Sequence, residues 1–370
     1  MPLNPSGAIS LGGPVAGQSI AVELGLSPTA TISLNDTAVR TLAQVPSGAI
    51  IMPTNFYGKS TGVQRAIFGF GRLNGLALTS QINLVSNTGV VATDTTTVAT
   101  ARREVAAAGY GGDKAIFGFG TIAPGAASTN ITNLVSNTGV VAANSPGVGT
   151  ARFGLAATGY GSSGQALFGY GAIYPALASQ SMTNLVSNTG VVSTDTAGVG
   201  TARRYLSAAR YGGDKALFGF GIGVPASTVT GVTNLVSNTG VVASDTPGVG
   251  QARQGLAAAA YGGDKAIFGF GFSPTVTPAA ARNLNVTNLV SNTGVVAANT
   301  PGVGQTRYSL GAAGYGGDKA IFGFGARTTP ADDNFFSLTN LVSNTGVVAA
   351  DTPGVGTAKD NLAAASYSLT

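Results

Sequence analysis

Carboxylates are the first place to look for chemistry, because this chain of 370 residues contains neither histidine nor cysteine. That removes the commonest general base, imidazole and thiolate metal ligands, Ser-His-Asp triads and cysteine nucleophiles. Fourteen acids remain. Asp113, Asp214, Asp264 and Asp318 recur at one equivalent position. Asp94, Asp195, Asp245 and Asp351 recur at another, where Asn144 and Asn299 stand in two further copies. Glu23, Asp36, Glu104 and Asp360 stand alone, and Asp332-Asp333 is the one adjacent pair outside the repeated positions, with Phe335-Phe336 beside it. A glycosidase needs two carboxylates in different environments a few ångströms apart. A Ca²⁺ loop needs several oxygen ligands in register. Repeated turn aspartates serve backbone hydrogen bonds instead, so no catalytic residue, metal site or cofactor is expected and the chain reads as a non-enzyme.

Two other series invite chemistry. Arg102, Arg152, Arg203, Arg253 and Arg307, with Lys359 in a sixth copy, read as braces that donate to backbone carbonyls rather than as a phosphate track. Tyr110, Tyr160, Tyr211, Tyr261, Tyr315 and Tyr367 read as a packed ring with satisfied hydroxyls, and the competing reading is a sugar-stacking ring. Phrases such as Phe268-Gly269-Phe270-Gly271 precede no helix and no Lys-Ser/Thr, so they are not phosphate loops. The net charge is +5 but only 9% of residues are charged. These charges are scattered and not gathered on one face, which argues against nucleic acid as a partner. No stretch approaches the roughly 20 apolar residues that span a bilayer, and Met1–Gly17 lacks the features of a secretory signal.

The elements that position these series come from a repeat. Thr-Asn-Leu-Val-Ser-Asn-Thr-Gly-Val-Val or a near copy starts at Ile82, Thr132, Thr183, Thr233, Thr287 and Thr339. Ile-Phe-Gly-Phe-Gly or a variant starts at Ile67, Ile116, Leu167, Leu217, Ile267 and Ile321. A period of about fifty residues means stacked supersecondary units. In Arg253–Gln305, Leu256–Tyr261 is strand a and Gly262-Gly263-Asp264-Lys265 a tight turn. Ala266–Gly271 is strand b, Thr287–Ser291 strand c and Val295–Ala298 strand d. Four strands with hairpin-length turns make one antiparallel sheet, and the small residues of strand a suit a crowded position near a common axis. Strand a also occurs at Val105–Tyr110, Leu155–Tyr160, Leu206–Tyr211, Leu310–Tyr315 and Leu362–Tyr367. The first strand b lacks a strand a before it and the last strand a lacks a strand b after it, so the C-terminal strand is expected to complete the first sheet.

This pattern resembles the kelch family, in which an Arg precedes the inner strand and a hydrophobic strand ends in a Gly-rich turn. The chain departs from it in having Gly-Phe-Gly after strand b, and Val241-Val242 where an outer-strand Trp would stand. The resemblance implies an all-β, six-bladed β-propeller over residues 61–370. A β-solenoid or a fibre of stacked repeats is the alternative fold. The connections between strands b and c vary most: Arg72–Gln81, Thr121–Ile131, Ala172–Met182, Ile222–Val232, Phe272–Val286 and Ala326–Leu338. On a propeller all six emerge on one side, and variable loops on a rigid scaffold carry binding. Arg282, Arg327, Asp332, Asp333, Phe335 and Phe336 are the candidate binding residues there.

Residues 1–60 differ in composition and are expected to form a small α/β anchoring module. Ser6–Leu11, Thr29–Leu34 and Ser47–Met52 echo one Ile-Ser-Leu-like phrase. Gln18–Leu24 reads as a two-turn helix stopped at Gly25, and Asn35-Asp36 as the N-cap of a helix over Thr37–Ala43. Ile9, Leu11, Ile32, Leu34, Val39, Leu42, Phe56 and Tyr57 are the candidate anchoring residues. Phe56-Tyr57-Gly58-Lys59 follows them. The segment resembles an N-terminal module of virion and tail-fibre-type proteins of tailed bacteriophages, and the Ser-Asn-Thr-Gly-Val-Val repeats resemble those of phage-encoded proteins. The resemblance implies a structural virion protein of the tail region, present in several copies. Residues 1–60 would dock on other tail proteins, and the propeller would meet a host glycan or receptor. The alternative is a propeller lectin that binds glycans at several equivalent sites.

Overall fold

Strand b shows no polar alternation, and its burial explains why. In Lys265–Phe272 the consecutive residues Ala266, Ile267 and Phe268 are all fully buried. A strand covered on both faces has no solvent side to reserve for polar residues. The computed structural model describes residues 3, 9–14, 18–43, 50, 63–123, 127–223, 228–328 and 333–369. Among them the fold is all-β apart from two short α-helices and one 3-10 turn. The chain divides into two compact units, Met1–Val63 with Ser368–Thr370, and Gln64–Tyr367.

The larger unit holds six three-stranded antiparallel sheets among the described residues, each with strand b in the middle. The second sheet is Ala106–Tyr110, Lys114–Gly118 and Thr132–Val135; the fifth is Ala257–Tyr261, Lys265–Phe272 and Asn283–Val290. In the first sheet, strand b is Val63–Gly69, strand c is Ile82–Val85, and strand a is the C-terminal segment Ala363–Leu369. Completion of the first sheet by the chain's last strand is thus observed. Strand d is not. Val295–Ala298 and its equivalents touch strand c only at isolated bridges, Val290 with Val296 and Thr287 with Thr300 in the fifth sheet. The two bridges are out of register by one residue, and the buried Asn288 fills the gap. Its Nδ2 donates to the Ala297 carbonyl at 2.9 Å and to Asn299 Oδ1 at 3.0 Å. Backbone bonds hold the segment at each bridge, and the side-chain amide spans the gap where a continuous fourth strand would pair.

Apolar packing lies between neighbouring sheets. Ile267 packs with Leu310 and Phe322 of the sixth sheet's unit, whereas Phe268 packs with Leu217 and Phe220 of the fourth. The same two-sided use recurs through six clusters, the last joining Phe68 and Val85 of the first sheet to Ile321 and Phe324 of the sixth. Glycine makes this approach possible. A Cβ on Gly169 would stand 2.6 Å from Phe218 Cζ, and one on Gly323 2.8 Å from Phe68 Cζ. The residue after that glycine (Phe70, Phe119, Tyr170, Phe220, Phe270, Phe324) is left-handed, with φ of 63–67°. That conformation is unfavourable for a bulky residue. Here it turns the Phe119, Phe270 and Phe324 carbonyls toward Arg102, Arg253 and Arg307, whose Nε atoms donate at 2.7–3.0 Å.

The arginine series therefore braces sheets, as its sequence position suggests, but its main partner is the buried asparagine of strand c. Arg102, Arg203, Arg253, Arg307 and Lys359 donate to the Oδ1 of Asn133, Asn234, Asn288, Asn340 and Asn83 at 2.5–2.8 Å, and Arg152 donates likewise to Asn184. Each cation also lies over the aromatic ring of the preceding sheet, for example Arg253 over Phe220 at 4.3 Å and Lys359 over Phe324 at 4.9 Å. A cation over a ring face gains from the ring quadrupole. Burial lowers the pKa of these guanidinium groups, and the carboxylates of Asp195 and Asp351 raise those of Arg152 and Arg307 part of the way back. Arg102 and Arg253 face Asn144 and Asn299 instead. Asn299→Asp is accordingly expected to stabilise the unit by about 0.5–1 kcal/mol, since it offers a carboxylate to a buried cation. Both donors to Asn299 Oδ1, the Gln251 N–H and Asn288 Nδ2, suit an aspartate. A thermal melt that is unchanged or lower refutes that account.

Lys359 gives the seam between the sixth and first sheets a titration of its own. Burial pulls its ammonium down to about 8, with Asp94, 3.8 Å away, opposing the shift. Between about pH 8 and the ordinary lysine value the unfolded chain holds a proton that the folded chain has released. Stability contributed by this group therefore rises with pH across that window, because the cost of burying the charge disappears. Lys359→Arg should flatten that rise, which urea titrations at pH 7.5 and 10 would measure. An identical rise in the variant refutes the assignment to Lys359.

The smaller unit has a core of its own. Leu3, Ile9, Ile20, Val39, Leu42 and Ala43 are buried together, and Leu11, Ile32, Leu34 and Ile50 pack partly buried against them. The first helix is only Ile20–Glu23, capped by Ser19, shorter than its sequence suggests; the second is Thr37–Ala43 as expected. This unit's described residues between 3 and 50 contain one isolated β-bridge, Ser10 with Ser19, and no strand. The candidate anchoring residues Ile9, Leu11, Ile32, Leu34, Val39 and Leu42 thus serve this core, and Phe56 and Tyr57 lie outside the described residues.

Candidate binding face

Residues that differ between repeats concentrate in the b–c connections and in the two positions after each seam cation. The described residues of the connections pair. Thr121–Ala123 pairs with Ala127–Ser128, Ala172–Ile173 with Ala178–Ser179, Ile222–Gly223 with Thr228–Val229, and Ala326–Thr328 with Asp333–Phe335. In the fifth repeat strands b and c themselves run on, Phe272 facing Asn283. The first residue of each connection also bridges the residue after a seam cation: Arg103 with Thr121, Phe153 with Ala172, Arg204 with Ile222, Gln254 with Phe272, and Tyr308 with Ala326. Arg72 and Asp360 complete the set as a strand pair.

The next residue along forms a closed cycle. Glu104, Gly154, Tyr205, Gly255, Ser309 and Asn361 all have φ of 52–59°. Each backbone N–H donates to the carbonyl of the preceding member at 2.6–3.1 Å, and Glu104 donates to Asn361. Strand a follows each of them and lines a cavity of about 100 Å³, walled mainly by alanines such as Ala106, Ala156 and Ala257.

Two clusters sit on this framework. In the first, Tyr205 reaches over Gly154, where a Cβ would stand 3.0 Å from its Cδ1, and donates from its hydroxyl to Glu104 Oε1 at 2.9 Å. Thr121 Oγ1 donates to Glu104 Oε2 at 3.1 Å, and Arg103 Nε lies 3.9 Å from the same oxygen. Phe153 stacks on Tyr174 at 4.2 Å, and Arg204 lies over Tyr205 at 6.0 Å while donating to Ser179 Oγ. Burial, then the Glu104 charge, push the Tyr205 phenol far above its ordinary value. It stays a neutral donor and is unsuited to act as a base or nucleophile near neutrality. In the second cluster, Arg72 makes a bidentate pair with buried Asp360 at 2.9 and 2.7 Å and lies over Phe335 at 5.0 Å.

Of the residues singled out by sequence, Phe335 joins the second cluster. Arg282 donates from Nε to the Val276 carbonyl at 3.3 Å, closing the fifth connection. Arg327 faces Asn334 within the sixth connection, the Asp333 backbone pairs with Thr328, and the Phe336 N–H donates to Gly325. Asn283 Nδ2 donates to the Thr328 carbonyl at 2.8 Å, which ties the fifth and sixth connections together. Asp332 lies outside the described residues. Among the described residues no group of three or more His, Cys, Asp or Glu could hold a metal ion.

Sequence reasoning missed the Glu104–Tyr205 cluster. Its signal was there: the two positions after the seam cation read Arg-Glu, Phe-Gly, Arg-Tyr, Gln-Gly, Tyr-Ser and Asp-Asn, set between the constant cation and a nearly constant Leu. The tyrosine series, by contrast, is packing. Its six rings are 2–4% exposed, and Gly294 of the fifth sheet's turn lies against Tyr211 of the fourth. Compared with protein-family models and with curated protein sequences, the chain matches none.

Proposed function

We propose that the chain is a non-enzymatic structural protein of a tailed-bacteriophage particle, in its tail or fibre apparatus, and that its six sheets are the blades of a propeller. The observation that carries this reading is the division of labour among its polar residues. Repeated asparagines and aspartates tie each sheet to the segment that enters it, the repeated cations bond there and lie over a ring of the preceding sheet, and the side chains that vary gather in the b–c connections. Such a body is a scaffold with one presenting face. The cycle of backbone bonds from Glu104 to Asn361, and the Phe68–Phe324 edge contact at 5.2 Å across the last seam, support the propeller arrangement. The likeness of residues 1–60 to phage virion modules supports the location, with that segment docking on other tail proteins. The face that carries Arg72, Arg103, Arg204 and Phe335 would meet a host glycan or receptor. A lectin that stacks sugars on the tyrosine ring is not favoured, because those rings have no open face. Peptide mass spectrometry of purified phage particles should detect this chain alongside known tail components. Particles that infect normally and lack it end the proposal.

A further inference from the structure

We infer that the C-terminal segment from Thr357 to Tyr367 is an exchangeable closing element, able to seat in the first sheet of a second copy of this chain. In the second to sixth sheets a tight turn joins strands a and b covalently, as Gly262-Gly263-Asp264 does in the fifth. In the first sheet the same two strands come from opposite ends of the polypeptide. Everything that holds strand a there is non-covalent. Lys359 Nζ donates to Asn83 at 2.7 Å, and the Thr357 N–H and hydroxyl both donate to Asp94 at 2.7 Å. Asn361 accepts from the Glu104 N–H and donates to Ser309, and Ser366 Oγ donates to the Gly314 carbonyl.

All of these partners exist unchanged in any other copy, so a released segment fits equally well in a second copy that has released its own. Exchange of an identical element is a low-cost route to a dimer. The run Pro353-Gly354-Val355-Gly356, just before the segment, supplies a hinge between it and the sixth sheet. This seam alone carries a bidentate ion pair at the bridge position, Arg72 with Asp360, where the other five pairs are Arg–Thr, Phe–Ala, Arg–Ile, Gln–Phe and Tyr–Ala. The extra pair is the latch at the one place where the backbone does not close the unit.

The chain lacks cysteine, which makes a direct test available. A Cβ on Gly311 would lie 3.2 Å from Ala364 Cβ across the seam, near disulfide reach. Full-length Gly311→Cys and Ala364→Cys chains are mixed, refolded together from denaturant at high concentration and oxidised. Exchange predicts a disulfide-linked dimer in the mixture and none when either variant is oxidised alone. A mixture that stays unlinked, while the double variant locks within one chain, overturns the proposal; so does a double variant that folds and never locks. Should Gly311→Cys misfold, light scattering of the cysteine-free chain after the same refolding reads the same equilibrium. A dimer fraction that grows severalfold in Arg72→Gln is then expected, and monomer alone in both chains overturns the inference.

Discussion

Arg253→Leu is expected to lower the unfolding free energy of the six-sheet unit by roughly 2–4 kcal/mol, since a buried acceptor left without its donor costs about 1–3 kcal/mol. Arg253 is fully buried and donates to the Phe270 carbonyl, the Gln251 carbonyl and Asn288 Oδ1 at 2.7, 3.0 and 2.8 Å. Leucine fills part of the volume and leaves three acceptors without their donor, and unsatisfied buried acceptors are costly. The neighbouring fold also depends on it, since the left-handed Phe270 aims its carbonyl at this guanidinium. Urea denaturation gives the loss directly. A cycle with Asn288→Leu should show coupling, the double variant costing less than the sum of the two single ones. A loss below about 1 kcal/mol would mean that the cation is bystander to packing.

The other large effect concerns the chain end. A protein that stops after Gly356 should lose cooperative folding of its larger unit, a change comparable to the whole stability of a domain, about 5–15 kcal/mol. Truncation removes buried Lys359, Asp360, Leu362, Ala363, Ala365 and Tyr367 together with the third strand of the first sheet. It uncovers Phe68 and Ile67, both fully buried, and takes the Lys359 donor from Asn83 Oδ1 and the Thr357 donors from Asp94. A two-stranded remnant with an apolar face is marginal in water. Circular dichroism with a dye that binds exposed apolar surface measures the outcome, and a peptide of residues 357–370 should restore the native signal. A truncated chain that melts cooperatively near the intact temperature would show that the first sheet does not need its last strand.

Much of this architecture was legible in the residues. The Ile-Phe-Gly-Phe-Gly phrase announced strand b, though not its burial on both faces, and the missing partner at each end of the repeat series announced that the two ends pair. The fourth strand was misread, because Val-Val after a Thr-Gly turn has every local mark of a hairpin. What decides against it is Asn288 and its equivalents, buried polar residues inside an apolar phrase that look like strand filler until the cation some thirty residues upstream is placed beside them. Side-chain partners so far apart in sequence leave no local trace. The same applies to Glu104 and Tyr205, one repeat removed from each other twice over. Neither has a meaning until the left-handed cycle brings them within a hydrogen bond. Asp36 shows the opposite case, a local signal that stands at the start of the second helix, whereas Ser19, which caps the first, falls inside the helix that the sequence suggests.

The buried tyrosines make the protein its own optical probe. With no tryptophan in 370 residues, ultraviolet emission comes from eleven tyrosines alone, and six of them are sealed beneath a turn of the next sheet. Burial holds these six phenols above their ordinary ionisation range. Parting a seam wets the phenol sealed there, and Tyr170 as well at the third–fourth seam, so the alkaline absorbance of tyrosinate reports open junctions.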